Sequence, residues 1–137
     1  MKKVYILAVL SLILWSCGGG YNPEVEKNKI LNVHDEVMPK IGEVMNLKKK
    51  VLDKAGTLSE EEASLAQELR ALAQELDDAN SGMMSWMRDW SKNSNEYLNM
   101  KAGEEAQVDY LTNEMKKVSD VKEAINSAIA RANEALK

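Results

Sequence analysis

Ile30, Val37, Val44 and Val51 stand seven residues apart, and the same spacing recurs in two later segments of the chain. Apolar residues repeating at seven, with fillers at three and four, share one face of an α-helix; a strand would alternate them between two faces. In the first segment Leu31, Met38, Met45 and Leu52 form an adjacent row, with His34 and Ile41 on the same face. In the second, Leu65, Leu72, Ala79 and Trp86 run beside Leu69, Leu76, Met83 and Trp90. In the third, Leu111, Val118, Ile125 and Ala132 run beside Met115, Ile129 and Leu136, with Val121 substituting where Lys122 interrupts. The pattern predicts an all-α chain with helices over about 24–55, 59–91 and 104–136. Turns are expected at 55–59 and in the polar stretch 91–103.

End signals agree with these bounds. Glu24 and Glu26 precede the first segment and Lys48 to Lys50 lie near its end, complementing the helix dipole. Gly56 is the expected C-cap. Ser59 with Glu62 fits a capping box, and Glu104 with Glu105 opens the third helix. Three amphipathic helices with short connections predict an up-down-up antiparallel bundle with coiled-coil-like packing, rods of roughly 45 Å and crossing angles near 20°. Pro39 lies mid-helix, where it removes a donor from the Asp35 carbonyl and predicts a kink, helped by Gly42. A long hairpin dimerising through coiled coils is the alternative; two adjacent apolar rows on one helix favour the bundle, and self-association stays open.

Composition narrows the functional classes. Among 137 residues, 18 are Lys or Arg and 22 are Asp or Glu, so the chain is mildly acidic and nucleic acid is not an expected partner. With one cysteine, no disulfide forms within the chain. No phosphate-binding glycine loop, HisGluXXHis, CysXXCys or GlyXSerXGly motif occurs, so the expectation is a non-enzymatic protein.

That single cysteine sits in LeuTrpSerCysGlyGlyGly, residues 14–20. Lys2 and Lys3 form a basic start, followed by an apolar run from Val4 to Trp15 that is too short to span a bilayer but suits a secretion signal. Leu14, Trp15, Ser16 and Cys17 resemble the lipobox of bacterial lipoproteins, with Trp15 bulkier than the usual occupant. The resemblance implies a signal peptide over 1–16, cleavage before Cys17 and acylation of that residue. Residues 17–23 would then be a flexible tether ahead of a 24–137 bundle. Acyl chains on Cys17 would hold the domain at a membrane of the bacterial envelope, facing the periplasm. Loss of Lys2 and Lys3 takes the formal charge from −4 to about −6, which disfavours lying flat on anionic lipid.

Two clusters could carry chemistry. His34, Met38, Met83 and Met115 form the first. A turn centred near 57 puts His34 level with Asn80, within a turn of Met83, and a turn centred near 99 puts Met83 level with Met115. An imidazole with several thioethers is a soft neutral ligand set suited to Cu(I) or Ag(I); the same residues also read as core filler around a kink. The second cluster is Trp86, Met87 and Trp90, either core packing or an aromatic patch for a protein partner in the envelope.

HisAspGluValMetPro at 34–39 and MetMetSerTrpMet at 83–87 resemble a group of short bacterial lipoproteins carrying the automated name "viral A-type inclusion protein". The resemblance extends over 31–52, 83–90 and 110–136. It implies a helical fold and no site.

Overall fold

The computed structural model describes residues 20–137, so the expected signal segment, Cys17 and the first glycines of the tether lie outside the described residues. Four α-helices make up nearly all of it: α1 Pro23–Val37, α2 Ile41–Thr57, α3 Ala63–Leu98 and α4 Glu105–Ala135. A 3-10 turn, Met38–Lys40, joins α1 to α2 without leaving right-handed helical backbone, so the helices form three packed rods. Among the described residues no strand occurs, and no helix is long and apolar enough to cross a membrane.

The first rod starts one residue earlier than its acidic residues suggested. Asn22 caps α1, its Oδ1 accepting from the Glu24 amide at 3.0 Å and the Val25 amide at 3.4 Å. Pro23 takes the first helical position, where a missing N–H costs nothing. The first rod with its cap therefore takes in Asn22 and Pro23, inside the stretch 17–23 expected as tether. At Pro39 the chain tightens: the Met38 amide donates to the His34 carbonyl and the Ile41 amide to the Met38 carbonyl. The 3-10 turn absorbs the donor that proline lacks.

Two expected ends move. Gly56 is inside α2, which continues to Thr57 and stops at Leu58 in extended conformation, φ −77° and ψ 145°. Thr57 Oγ1 donates to the Lys54 carbonyl at 2.8 Å, holding the last turn. Ser59 and Glu62 then form the expected capping box, with Glu62 Oε2 accepting from the Ser59 amide at 3.1 Å and from Ser59 Oγ at 2.9 Å. These bonds pull the Glu62 carboxyl below its ordinary range. At the other end α3 runs through the polar residues 91–98, part of the stretch expected to turn. Those residues keep a useful face: Ser94 is buried and Leu98 packs on the core, so tertiary burial outweighs the weak helix propensity of Asn and Ser. The resulting 36-residue helix is about 54 Å long.

One apolar core runs along the rods. Ile30, Val37, Val44 and Val51 are all fully buried, as are Leu76 and Met83 of α3 and Val118, Ile125 and Ala132 of α4. Polar bonds cross the rods at intervals. Lys48 Nζ meets Asp77 Oδ1 at 2.5 Å, Lys122 Nζ meets Glu36 Oε2 at 2.6 Å, and Lys40 Nζ donates to Asn126 Oδ1 at 2.6 Å. Lys54 Nζ donates to the Ala135 carbonyl at 2.7 Å, and Arg131 pairs with Glu75. The row Leu31, Met38, Met45, Leu52 differs from expectation: Met45 and Leu52 are exposed and Leu31 and Met38 half-buried. Leu65 of α3 is exposed as well.

Heptad position and burial therefore separate, and denaturant titration distinguishes them. Leu76→Ala is expected to lower unfolding free energy by about 2–5 kcal/mol, as for a fully buried leucine. Leu65→Ala, equally regular in the heptad, is expected to cost below about 1 kcal/mol.

Candidate functional site

Five rings form a continuous ladder across the rods. Trp86 and Trp90 are four residues apart on α3, which places them on one helix face. Their ring centroids are 5.7 Å apart and their planes 24° from parallel. His34 of α1 lies 5.7 Å from Trp86, and Tyr110 of α4 lies 6.1 Å from Trp90. Tyr97, seven residues past Trp90, closes the ladder on Tyr110 at 4.0 Å with nearly parallel planes, 3° apart. Offset stacks of this kind add to the burial of each ring.

Polar groups are enclosed around the ladder. Trp86 Nε1, Tyr110 Oη and Glu114 Oε2 are buried without a hydrogen-bond partner. The other oxygen of Glu114, Oε1, accepts from Lys117 Nζ at 2.7 Å, so the carboxylate has one charged partner at the edge of the bundle. Burial pushes the Tyr110 hydroxyl well above its ordinary range, and the nearby negative charge of Glu114 adds to this. Beside the ladder an open groove of about 300 Å³ passes over Gly82, between Trp86 and Asp89 of α3 and Lys117, Asp120 and Val121 of α4.

Below the ladder Gln107 locks the α3–α4 turn. Fully buried, it accepts from the Gly103 amide at 3.0 Å and donates to the Tyr97 carbonyl at 2.9 Å and the Met100 carbonyl at 3.4 Å. Gly103 has φ 85°, a left-handed conformation suited to glycine, and a Cβ there would lie 3.6 Å from Tyr21 Cβ. Tyr21 also lines a small cavity of about 190 Å³ with Glu26, Leu111 and Met115. The start of the first rod and the α3–α4 turn thus form one end of the molecule.

Met38, Met83 and Met115 come one from each rod and belong to the core or pack against it. His34 stands at the rim, its Nδ1 2.8 Å from the exposed Asp35 carboxylate and its ring against Trp86 rather than level with Asn80. Met38 is half-buried one turn later, and Met83 is fully buried. Met115 accepts from Ser119 Oγ at 3.7 Å and lines the small cavity with Tyr21 and Glu26. Gly82 faces Val121, so Met83 and Met115 are offset by about 7.5 Å rather than level. Of the aromatic patch, Trp86 is buried, while Met87 and Trp90 are half-buried and pack on the core.

The spacing of Trp86 and Trp90 reads as one face; Tyr97 falls in the stretch expected to turn, and the roles of Gln107, Tyr110 and Glu114 have no local signature. Glutamine and glutamate on a charged helix read as solvated residues until a second rod covers them. No family model matches this chain, and no curated protein or solved structure does either.

Two outcomes follow from this end of the bundle. Because the Tyr110 hydroxyl ionises at higher pH folded than unfolded, its neutral form supports folding below pH 10 and that support is lost as pH rises past 10. Tyr110→Phe is expected to shift the alkaline unfolding midpoint upward, while leaving stability at pH 7 within about 1 kcal/mol, since the hydroxyl has no partner to lose. Gln107→Ala orphans the Tyr97 and Met100 carbonyls and is expected to cost about 1–3 kcal/mol by urea titration.

Proposed function

We propose that this chain is a lipid-anchored helical domain of the bacterial cell envelope that works by protein contact rather than by catalysis. The observation that carries the contact reading is the row Leu31, Met38, Met45, Leu52. The three rods enclose one continuous core, yet this regular apolar row on the first rod is left partly uncovered. An apolar face that folding does not need is a candidate interface.

The anchor reading is supported by the lipobox-like LeuTrpSerCys and by the position of the first described residues. Tyr21 packs at the α3–α4 turn only four residues after Cys17. Four extended residues reach at most about 14 Å. An acylated Cys17 would hold that end of the molecule near the membrane, with the α2–α3 turn pointing away.

We infer an up-down-up order for the rods. Pairing of Lys48 with Asp77, and of His34 with Trp86, supports an antiparallel α3, because later residues of the first rod meet earlier residues of α3. Contacts of Glu36 with Lys122 and of Lys40 with Asn126 keep one spacing and support a parallel α4.

Detergent-phase partition of the full-length protein expressed in bacteria tests the anchor. The wild type is expected in the detergent phase with acyl chains on an N-terminal Cys17 by mass spectrometry. Cys17→Ala is expected in the aqueous phase or as uncleaved precursor. Wild-type protein in the aqueous phase with an unmodified Cys17 thiol would overturn the anchor.

A further inference from the structure

We propose that the uncovered row of the first rod is a self-docking surface, on which a second copy of this chain packs antiparallel about a two-fold axis beside Gly42. The inference rests on the contact half of the proposed function; an antiparallel pair puts the two chain starts at opposite ends, so it is an arrangement distinct from upright anchoring of both copies in one membrane.

The row has the symmetry such a pair requires. Asp35 and Lys49 each stand seven residues from Gly42, before and after it. Met38 and Met45 flank it closely, and Leu31 and Leu52 lie at the two ends. Turned about an axis beside Gly42, one copy sets its Met38 against the other's Met45 and its Leu31 against the other's Leu52. Asp35 of each copy then faces Lys49 of the other. The spacing keeps 31, 38, 45 and 52 on one helix row and 35, 42 and 49 on the next, as a helix–helix seam needs.

Exposure and charge fit this occupant. Met45 and Leu52 are 42% and 41% exposed, and Leu31 is half-buried outside the core cluster. Asp35 and Lys49 have side chains 73% and 75% exposed, free to turn toward a neighbour. Their present partners are local: His34 beside Asp35, and Asp53 one turn from Lys49. A parallel pair would oppose Asp35 to Asp35 and Lys49 to Lys49, so like-charge repulsion selects the antiparallel arrangement.

Gly42 supplies an independent indication. A glycine inside a helix weakens it by about 1 kcal/mol relative to alanine, and its missing Cβ leaves room for a second backbone to approach. A Cβ at Gly42 would meet nothing within 4 Å in the single chain. In the antiparallel pair the two glycines face each other at the axis and let the backbones approach. The apolar area is modest beside a standard stable interface, so the pair is weak and reversible. The two chain starts would lie at opposite ends, about 60 Å apart.

Residues 20–137 contain the whole described core and omit Cys17, so this fragment tests self-docking while the anchor test stands separately. Sedimentation equilibrium up to about 1 mM is expected to show a monomer–dimer equilibrium, a range proper to weak pairs. Lys49→Asp alone, or Asp35→Lys alone, is expected to weaken association about tenfold, since each change makes both symmetric charge contacts repulsive. The double exchange, Asp35→Lys with Lys49→Asp, is expected to restore it to within about threefold. Gly42→Cys should form a disulfide-linked dimer under mild oxidation much faster than Asp35→Cys does. Circular dichroism confirms that each variant is folded; Gly42→Ala, measured alongside, controls for the changed helix at that position. A folded fragment that is monomeric at 1 mM would overturn the proposal. So would charge reversals without effect, or Asp35→Cys linking as fast as Gly42→Cys.

Discussion

Alignment of the valine row across Pro39 is the constraint on which the rest of this structure depends. Val37 and Val44 flank the proline and both are fully buried. A sharp break between them would turn one half of the rod away from the core. The 3-10 turn at Met38–Lys40 prevents that, replacing the ordinary helical bonds with shorter ones while keeping the backbone right-handed. With the row intact, α1 packs chiefly on α4 and α2 chiefly on α3, so a single helix with a proline in it spans both neighbours. The same turn lies beside Gly42, at the middle of the outer row.

The two ends of the bundle are built differently. The α2–α3 connection carries a capping box of exposed side chains, Ser59 and Glu62, which solvent would otherwise satisfy. At the α3–α4 end the reversal is internal: Gln107 takes three backbone partners in a fully buried position, and stacked rings fill the space above it. A buried amide that satisfies three groups specifies one geometry, because any other leaves polar groups without partners. That ordered end also receives Tyr21, where the chain enters from the residues after Cys17.

Much of this was legible from residue spacing. Every member of the rows Ile30–Val51 and Leu111–Ala132 is buried where periodicity placed it, and Ser59 with Glu62 caps as the local pattern implied. Levels between rods were not legible, and the reason is geometric. Moving the centre of a turn by one residue moves the opposing residue by two. The α2–α3 reversal is centred near 60 rather than 57, because α2 continues past Gly56 and α3 begins only after Glu62. The α3–α4 reversal is centred near 101 rather than 99, because α3 continues to Leu98. Small shifts at each turn therefore put His34 against Trp86 instead of Asn80, still within a turn of Met83, and moved Met83 off the level of Met115.

Sequence by itself determined that the described residues are helical, that rods open within a residue of Glu24 and Glu104, and which row of each is most apolar, because those follow from local bonding and a period of 3.6 residues. Tertiary structure alone decided which apolar row is covered. Two adjacent rows on the first rod are alike in composition, yet two neighbouring rods bury only the one that faces both, leaving Met45 and Leu52 in solvent. It also decided that Gln107 and Glu114 are interior, since a helix surface carries no mark of burial until another helix lies across it.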